Sequence, residues 1–141
     1  MGSQMQSIYK RYYALPGPIE RDVRVEFVQN FNRGLNLLGK DNAAAFGALD
    51  LALKYCPEPK YPYIYYYMSE AQRKMGKIEP SYKLLKYAAA MDSVLYEVDK
   101  DLYLYEYRFG NLDSASYYRS RVAKIVPWYM PRLDSLVTTG Q

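Results

Sequence analysis

The chain has 141 residues, of which 50% are hydrophobic, and its 19 lysines and arginines outnumber 15 acidic residues to give a net charge of +4. A single domain of this length buries about two-thirds of its unfolded surface, and no apolar run approaches the ~20 residues of a membrane-spanning helix. Because the chain has no histidine and one cysteine, the sequence excludes histidine-dependent triads, histidine-ligated metals and internal disulfides.

The N-terminal segment, residues 1–18, begins with Met-Gly-Ser, which resembles the remnant of an expression tag. A short helix is predicted over residues 8–15, because the Pro-Gly-Pro sequence that follows cannot continue it. Pro18 suits the first turn of a long helix, which is predicted to end at Gly39. One apolar stripe at helical spacing runs along this helix, formed by Val28, Phe31, Leu35 and Leu38.

A second helix rich in small residues follows this glycine. Asp41 and Asn42 predict a turn and a helix cap, and alanines at steps of three and four residues let two helix backbones approach closely. Pro57 ends the unit, and the prolines of residues 56–62 predict an extended connection. Cys56 is predicted to pack inertly at the helix end, since no histidine can activate its thiol.

The rest of the chain repeats this pattern at a fixed offset. Gly76 and Gly110 lie 34 residues apart, and Gly39 precedes Gly76 by 37 residues. Each glycine follows a predicted helix and precedes a second helix with small residues on one face. Ser93 and Pro127, which are also 34 residues apart, close the last two copies. A repeat of this length predicts stacked helical hairpins.

These positions resemble the tetratricopeptide repeat (TPR) family over about residues 25–127. The matching residues are Leu35, Gly39, Ala44 or Ala45, Ala52 and Pro57, then Met68, Ser69, Gly76, Ser81, Leu85 and Ala88, then Leu102, Gly110, Ala115, Val122 and Pro127. The chain departs from the family pattern at Tyr103, Arg119 and Ser93. The resemblance implies an all-α, TPR-like right-handed α-solenoid of about seven helices. Its predicted parts are three hairpins (about 19–57, 61–93 and 94–127) and a C-terminal capping helix at 128–141.

In TPR proteins the first helix of each hairpin lines a concave groove, so the resemblance implies a partner-binding surface on these helices. Five of the 18 tyrosines crowd residues 61–67. Tyrosine suits a binding surface because it offers a rigid apolar face and a polar tip, although filling the seams between repeats is the alternative for each one. The predicted groove residues are Glu26, Gln29, Arg33, Asn36, Tyr63, Tyr66, Tyr67, Glu70, Arg73, Lys74, Glu97, Lys100, Leu104, Tyr107 and Arg108.

The C-terminal end carries a second, shorter resemblance, on residues 125–131 together with Leu133, Leu136 and Gly140. This segment is similar to the end of the helical-repeat tail in some Bacteroidetes-type O-antigen ligase or polymerase membrane proteins. That resemblance implies a periplasmic tail outside the membrane, which holds a glycan or an assembly partner. If this resemblance does not hold, a cytoplasmic location is expected.

Two clusters of charged residues are interpreted as features of helix ends and not as catalytic or binding sites. Asp99 and Asp101 lie near a predicted helix start, where negative charge complements the helix dipole. Arg119, Arg121 and Lys124 predict a solvated basic face near a helix C-terminus. Nucleic-acid binding is not expected, because it requires a continuous basic stripe with stacking aromatic residues.

The sequence therefore predicts a non-enzymatic protein-interaction module that binds a peptide or a partner helix in the groove. No catalytic residue, metal or cofactor is expected, and no part of this segment is expected to insert into a membrane. The alternative is the extramembrane tail of a membrane glycan ligase or polymerase, with the tyrosine-rich groove binding a glycan or an assembly partner.

Overall fold

The computed structural model describes residues 18–91 and 95–138, with side chains described from Val23 onward. Within these residues the chain forms seven α-helices and no β-strand, so the predicted all-α class is confirmed. The helices are α1 (Pro18–Leu37), α2 (Asn42–Tyr55), α3 (Pro62–Lys74), α4 (Ile78–Ala89), α5 (Tyr96–Phe109), α6 (Leu112–Ile125) and α7 (Met130–Thr138). A short 3-10 helix, Pro127–Tyr129, separates α6 from α7. The predicted helix at 8–15 and the closing residue Ser93 lie outside the described residues.

The three predicted glycine turns are confirmed. Gly39, Gly76 and Gly110 have φ angles of +87°, +77° and +84°, a left-handed conformation that is costly for residues with a Cβ atom. After Gly76 and Gly110 the same backbone hydrogen bond forms. The N–H of Lys77 donates to the Gln72 carbonyl, and that of Asn111 donates to the Glu106 carbonyl, both at 2.9 Å. These bonds satisfy a carbonyl in the last turn of α3 and of α5.

The turn after Gly39 is held by two side chains. Asp41 caps α2, because its Oδ1 accepts a hydrogen bond of 3.1 Å from the Ala44 N–H, as the sequence predicts. Asn42 Oδ1 accepts a second bond, of 2.8 Å, from the Gly39 N–H. At the other end of α2, Cys56 is buried at the C-cap, which confirms the prediction of a packed helix end.

The described residues form two compact units, and the boundary between them falls after Ser81, inside α4. In the first unit α2 packs against both α1 and α3. Its core consists of fully buried side chains from all three helices, namely Phe27, Phe31, Ala45, Leu49, Ala52, Ile64 and Ala71.

Gly34 brings α1 close to α2. A Cβ atom at this position would lie 2.6 Å from Leu49 Cγ and 3.3 Å from the Ala45 carbonyl oxygen. A larger residue would therefore push the two helices apart or displace the Leu49 side chain, since protein interiors are close-packed.

In the second unit α5 packs against α6 and contacts α7. Leu102 of α5, Val122 of α6 and Leu133 of α7 are fully buried. Arg119, which stands where the TPR resemblance expects an aromatic residue, instead pairs with Asp134. Its Nε and Nη2 donate to the two carboxylate oxygens at 3.0 and 2.7 Å. This two-point pair ties α7 to α6 beside the apolar contacts.

Candidate functional site

A cluster of aromatic rings joins α1 to α3 in the first unit, and we call it the aromatic face: Phe31, Tyr61, Tyr63, Tyr66 and Tyr67. The Phe31 ring lies 5.7 Å from the Tyr61 ring and 6.0 Å from the Tyr67 ring, measured between centroids. Tyr63 stacks on Tyr67 at 6.1 Å, and Tyr66 meets Tyr67 edge to face at 5.1 Å. These distances and angles are those of favourable aromatic pairs.

The start of α3 explains how the tyrosines come together. Pro62 occupies the first turn of the helix, where its missing N–H costs no hydrogen bond. From there Tyr63, Tyr66 and Tyr67 follow the three- and four-residue spacing of one helical side. The buried side of the same helix carries Ile64, Met68 and Ala71. The four tyrosines of the aromatic face consequently remain half-buried over the buried Phe31 ring, with part of each tyrosine open to solvent.

Polar side chains border the aromatic face along α3, on the side of the helix that carries its tyrosines, and α1 carries further exposed polar residues. On α3, Arg73 Nη2 donates to Glu70 Oε2 at 2.7 Å, and Lys74 is exposed one residue further on. On α1, Arg33 Nη2 donates to Asn30 Oδ1 at 3.0 Å, and Asn30 Nδ2 donates to the Glu26 carbonyl at 2.8 Å. The four predicted groove residues of α1 are all exposed, namely Glu26, Gln29, Arg33 and Asn36.

The remaining predicted groove residues belong to α5, in the second unit. Glu97, Lys100 and Leu104 are half-buried there, while Tyr107 and Arg108 are exposed. Lys100 Nζ lies 3.3 Å from the Asp101 carboxylate, and the Tyr107 ring meets the buried Tyr103 ring edge to face at 6.3 Å. The ring contacts thus join the α3 set to Phe31 of α1, which is not a predicted groove residue, and the α5 set lies on a helix of the other unit.

Asp99 has a role that the sequence does not predict. It stands in the first turn of α5, as expected, but it is only 1% exposed and accepts a 3.1 Å hydrogen bond on Oδ1 from Arg121 Nε. Its Oδ2 has no hydrogen-bond partner. Burial raises the pKa of Asp99 above its ordinary value, and the Arg121 guanidinium opposes part of that rise.

This pairing corrects the prediction of a solvated basic face at Arg121. The Arg121 side chain is 26% exposed and bound to buried Asp99, whereas Arg119 keeps 43% of its side chain exposed in its pair with Asp134, and Lys124 is exposed as predicted. The partners of the two arginines lie 15 and 22 residues away in the chain, so no local pattern indicates them.

The second unit also contains polar contacts of α4 and α6 that the sequence analysis missed. Lys86 Nζ donates to the Tyr118 hydroxyl at 3.1 Å, and Arg121 Nη1 donates to the Tyr117 hydroxyl at 3.1 Å. Tyr82, one turn before Lys86, donates to buried Glu106 at 3.1 Å. The four-residue spacing of Tyr82 and Lys86 was the available signal, since it places both on one side of α4.

Comparison of the chain with protein families, with curated proteins and with solved structures finds no match. Among the described residues, no three histidine, cysteine, aspartate or glutamate side chains gather closely enough to hold a metal ion. None of the described helices combines the length and the apolar character needed to cross a membrane.

Proposed function

We propose that this chain is a non-enzymatic protein-interaction module, and that the aromatic face with its polar border binds an extended peptide or a partner helix. The observation that carries the proposal is the continuous set of half-buried tyrosine rings, packed on Phe31 and followed along the same side of α3 by Arg73. Tyrosine contributes large contact area at a low entropic cost, because it has only two side-chain torsions to fix.

The rings that touch one another are also partly preorganised. A ring already held by its neighbours loses less freedom when a ligand packs on it, and this cost is otherwise about 0.5–1.5 kcal/mol for each immobilised side chain. The ligand that fits this surface offers an apolar or aromatic side chain to the tyrosines. It also offers carboxylates to the border cations Arg73 and Lys74, and to the exposed Arg33 of α1.

The TPR-like arrangement belongs to the same proposal. The proposal is a right-handed solenoid of three hairpins whose first helices, α1, α3 and α5, carry the partner-binding residues. The support for this arrangement is the repeated left-handed glycine and the matching hydrogen bond after Gly76 and Gly110, 34 residues apart. On α5 the proposed binding residues include Leu104, Tyr107 and Arg108.

The experiment begins with selection of a peptide from a random displayed library against the whole chain. Its dissociation constant is then measured for the wild type, Tyr66→Ala and Arg73→Ala. Each substitution is expected to weaken binding by about tenfold or more, the loss typical of a residue that anchors an interface.

Two matched variants control for the general loss of a ring or a charge. Tyr87→Ala removes an exposed tyrosine of α4, and Lys54→Ala removes an exposed cation of α2. Both should leave the dissociation constant within about twofold of the wild type, because exposed residues outside an interface contribute little to binding. Unchanged affinity in both Tyr66→Ala and Arg73→Ala would reject the proposed site.

The alternative function, a glycan-binding tail of a membrane enzyme, uses the same tyrosines in another way. Their exposed faces would stack on sugar rings, and the ligand would then need no carboxylate. Loss of oligosaccharide binding in Tyr66→Ala with full binding in Arg73→Ala would favour this alternative. Many transmembrane segments encoded upstream in the parent gene would favour it independently.

A further inference from the structure

A cavity of about 180 Å³ lies between α4 and α6 in the second unit. Two cations and two tyrosines face it, together with two alanines that leave room for a ligand. Its lining residues are Lys86, Ala89, Ala90, Tyr117, Tyr118 and Arg121.

The polar groups around the cavity are arranged as donors. The Tyr118 hydroxyl accepts from Lys86 Nζ and the Tyr117 hydroxyl accepts from Arg121 Nη1, each at 3.1 Å. A tyrosine hydroxyl that accepts a hydrogen bond keeps its own hydrogen for a further bond, and an ammonium group has three hydrogens to donate. Both tyrosines and Lys86 therefore have hydrogens left to donate, so a polar ligand group that binds here must be an acceptor.

The positive charge of the cavity is fixed by its surroundings. Buried Asp99 holds the Arg121 side chain through Nε at 3.1 Å, which orients the other end of the guanidinium toward Tyr117. The hydrogen bond to Tyr118 raises the pKa of Lys86 above its ordinary value, so the ammonium stays charged at neutral pH. Asp99 compensates Arg121. The charge of the Lys86 ammonium is also favoured by the buried Glu106 carboxylate, and Lys86 is the cation that the cavity presents to a ligand.

The size and walls of the cavity define the body of the ligand. A cavity of about 150 Å³ holds one benzene molecule, so a cavity of about 180 Å³ has room for a single ring with its substituent. The Tyr117 and Tyr118 rings stand 5.1 Å apart at 73° and form a corner against which a flat ring can pack. Lys83 and Tyr87 lie on the same side of α4 as Lys86 and extend the surface beside the cavity.

We propose that this cavity binds a small aromatic oxyanion, a carboxylate or phosphate carried on one ring, with Lys86, Tyr117 and Tyr118 donating to the anionic oxygens. The site is independent of the interaction function proposed above, because its lining residues do not belong to the aromatic face.

The test is a titration of the isotope-labelled full chain with benzoate and with phenyl phosphate at constant ionic strength, followed by NMR. We expect saturable shifts centred on Lys86, Ala90 and Tyr117. Tighter binding of phenyl phosphate would assign the site to phosphate, and tighter binding of benzoate would assign it to carboxylate. Benzylamine, which has the same ring and the opposite charge, should not bind.

Two variants and one control test whether the anion binds in this cavity. Lys86→Gln should weaken binding of the preferred anion about tenfold or more, because a hydrogen bond to a charged group is lost. Tyr117→Phe, which removes one exposed hydroxyl and keeps the ring, should weaken it about threefold. Lys124→Gln removes an exposed cation of α6 outside the cavity and should leave affinity unchanged. Absence of saturation with both anions, equal binding of benzylamine, or an equal loss in Lys124→Gln would overturn the proposal.

Discussion

Gly110 and Gly47 are both exposed glycines, and the structure predicts opposite effects of alanine at the two positions. At Gly110 the φ angle of +84° is strained for any residue with a Cβ atom, so Gly110→Ala should lower the free energy of unfolding by about 1–2 kcal/mol. Gly47 lies within α2, and the space that a Cβ atom would take there is open. Because alanine favours the helix over glycine, Gly47→Ala should raise the free energy of unfolding by up to about 1 kcal/mol. Urea unfolding of the two variants measures both changes, and equal destabilisation would contradict this account.

Asp99 should make stability depend on pH in a defined direction. Its pKa is raised in the folded chain, so the folded state holds the proton more tightly than the unfolded state does. The stability that Asp99 contributes is therefore greatest below the ordinary aspartate pKa of 3.8, and it falls as pH rises through the raised value. Relative to Asp99→Asn, the wild type should lose stability from about pH 4 toward pH 7.

Asp134 provides the control for this measurement, because its pKa is shifted the other way. The hydrogen bonds from Arg119 lower the pKa of Asp134, so its contribution is present above 3.8 and is lost as pH falls through the lowered value. Asp134→Asn should thus change the pH dependence only below about pH 4. Parallel stability curves for the wild type and Asp99→Asn above that pH would contradict the assignment to Asp99.

At the scale of the helices, the contact between α1 and α2 depends on Gly34. Gly34→Ala would place a Cβ atom 2.6 Å from Leu49 Cγ and should cost about 1–3 kcal/mol of stability, as overpacking does. In the double variant with Leu49→Ala, the space for the new methyl group is restored. The combined loss should be smaller than the sum of the two single losses, and a strictly additive cycle would contradict the close approach.

Helix ends could be predicted from the sequence because they depend on local chemistry. Gly39, Gly76 and Gly110 end helical runs in a conformation that only glycine adopts cheaply, and Asp41 caps the next helix from three residues away. Gly34 could not be interpreted in this way, since its importance comes from Leu49 on another helix. A pattern along one helix does not reveal which neighbour approaches it.

At the scale of the whole molecule, the all-α class could be predicted from repeat spacing, and the partners of the charged residues could not. The sequence around Arg121 is typical of a surface cation, yet this residue compensates a buried carboxylate 22 residues away. The tyrosines of α3 were predicted as a candidate surface from their number and spacing together with the TPR resemblance. Their contact with Phe31, which makes them one cluster, follows from how α1 and α3 pack around α2.

The central claim is that the aromatic face is the surface through which this chain binds its partner. Backbone amide shifts of the labelled chain, recorded during titration with the library-selected peptide, test it most directly. If the claim holds, the largest shifts fall on α1 around Phe31 and Arg33 and on α3 from Tyr63 to Lys74. Saturable binding with its largest shifts on α6 and α7, and none on α3, would contradict it.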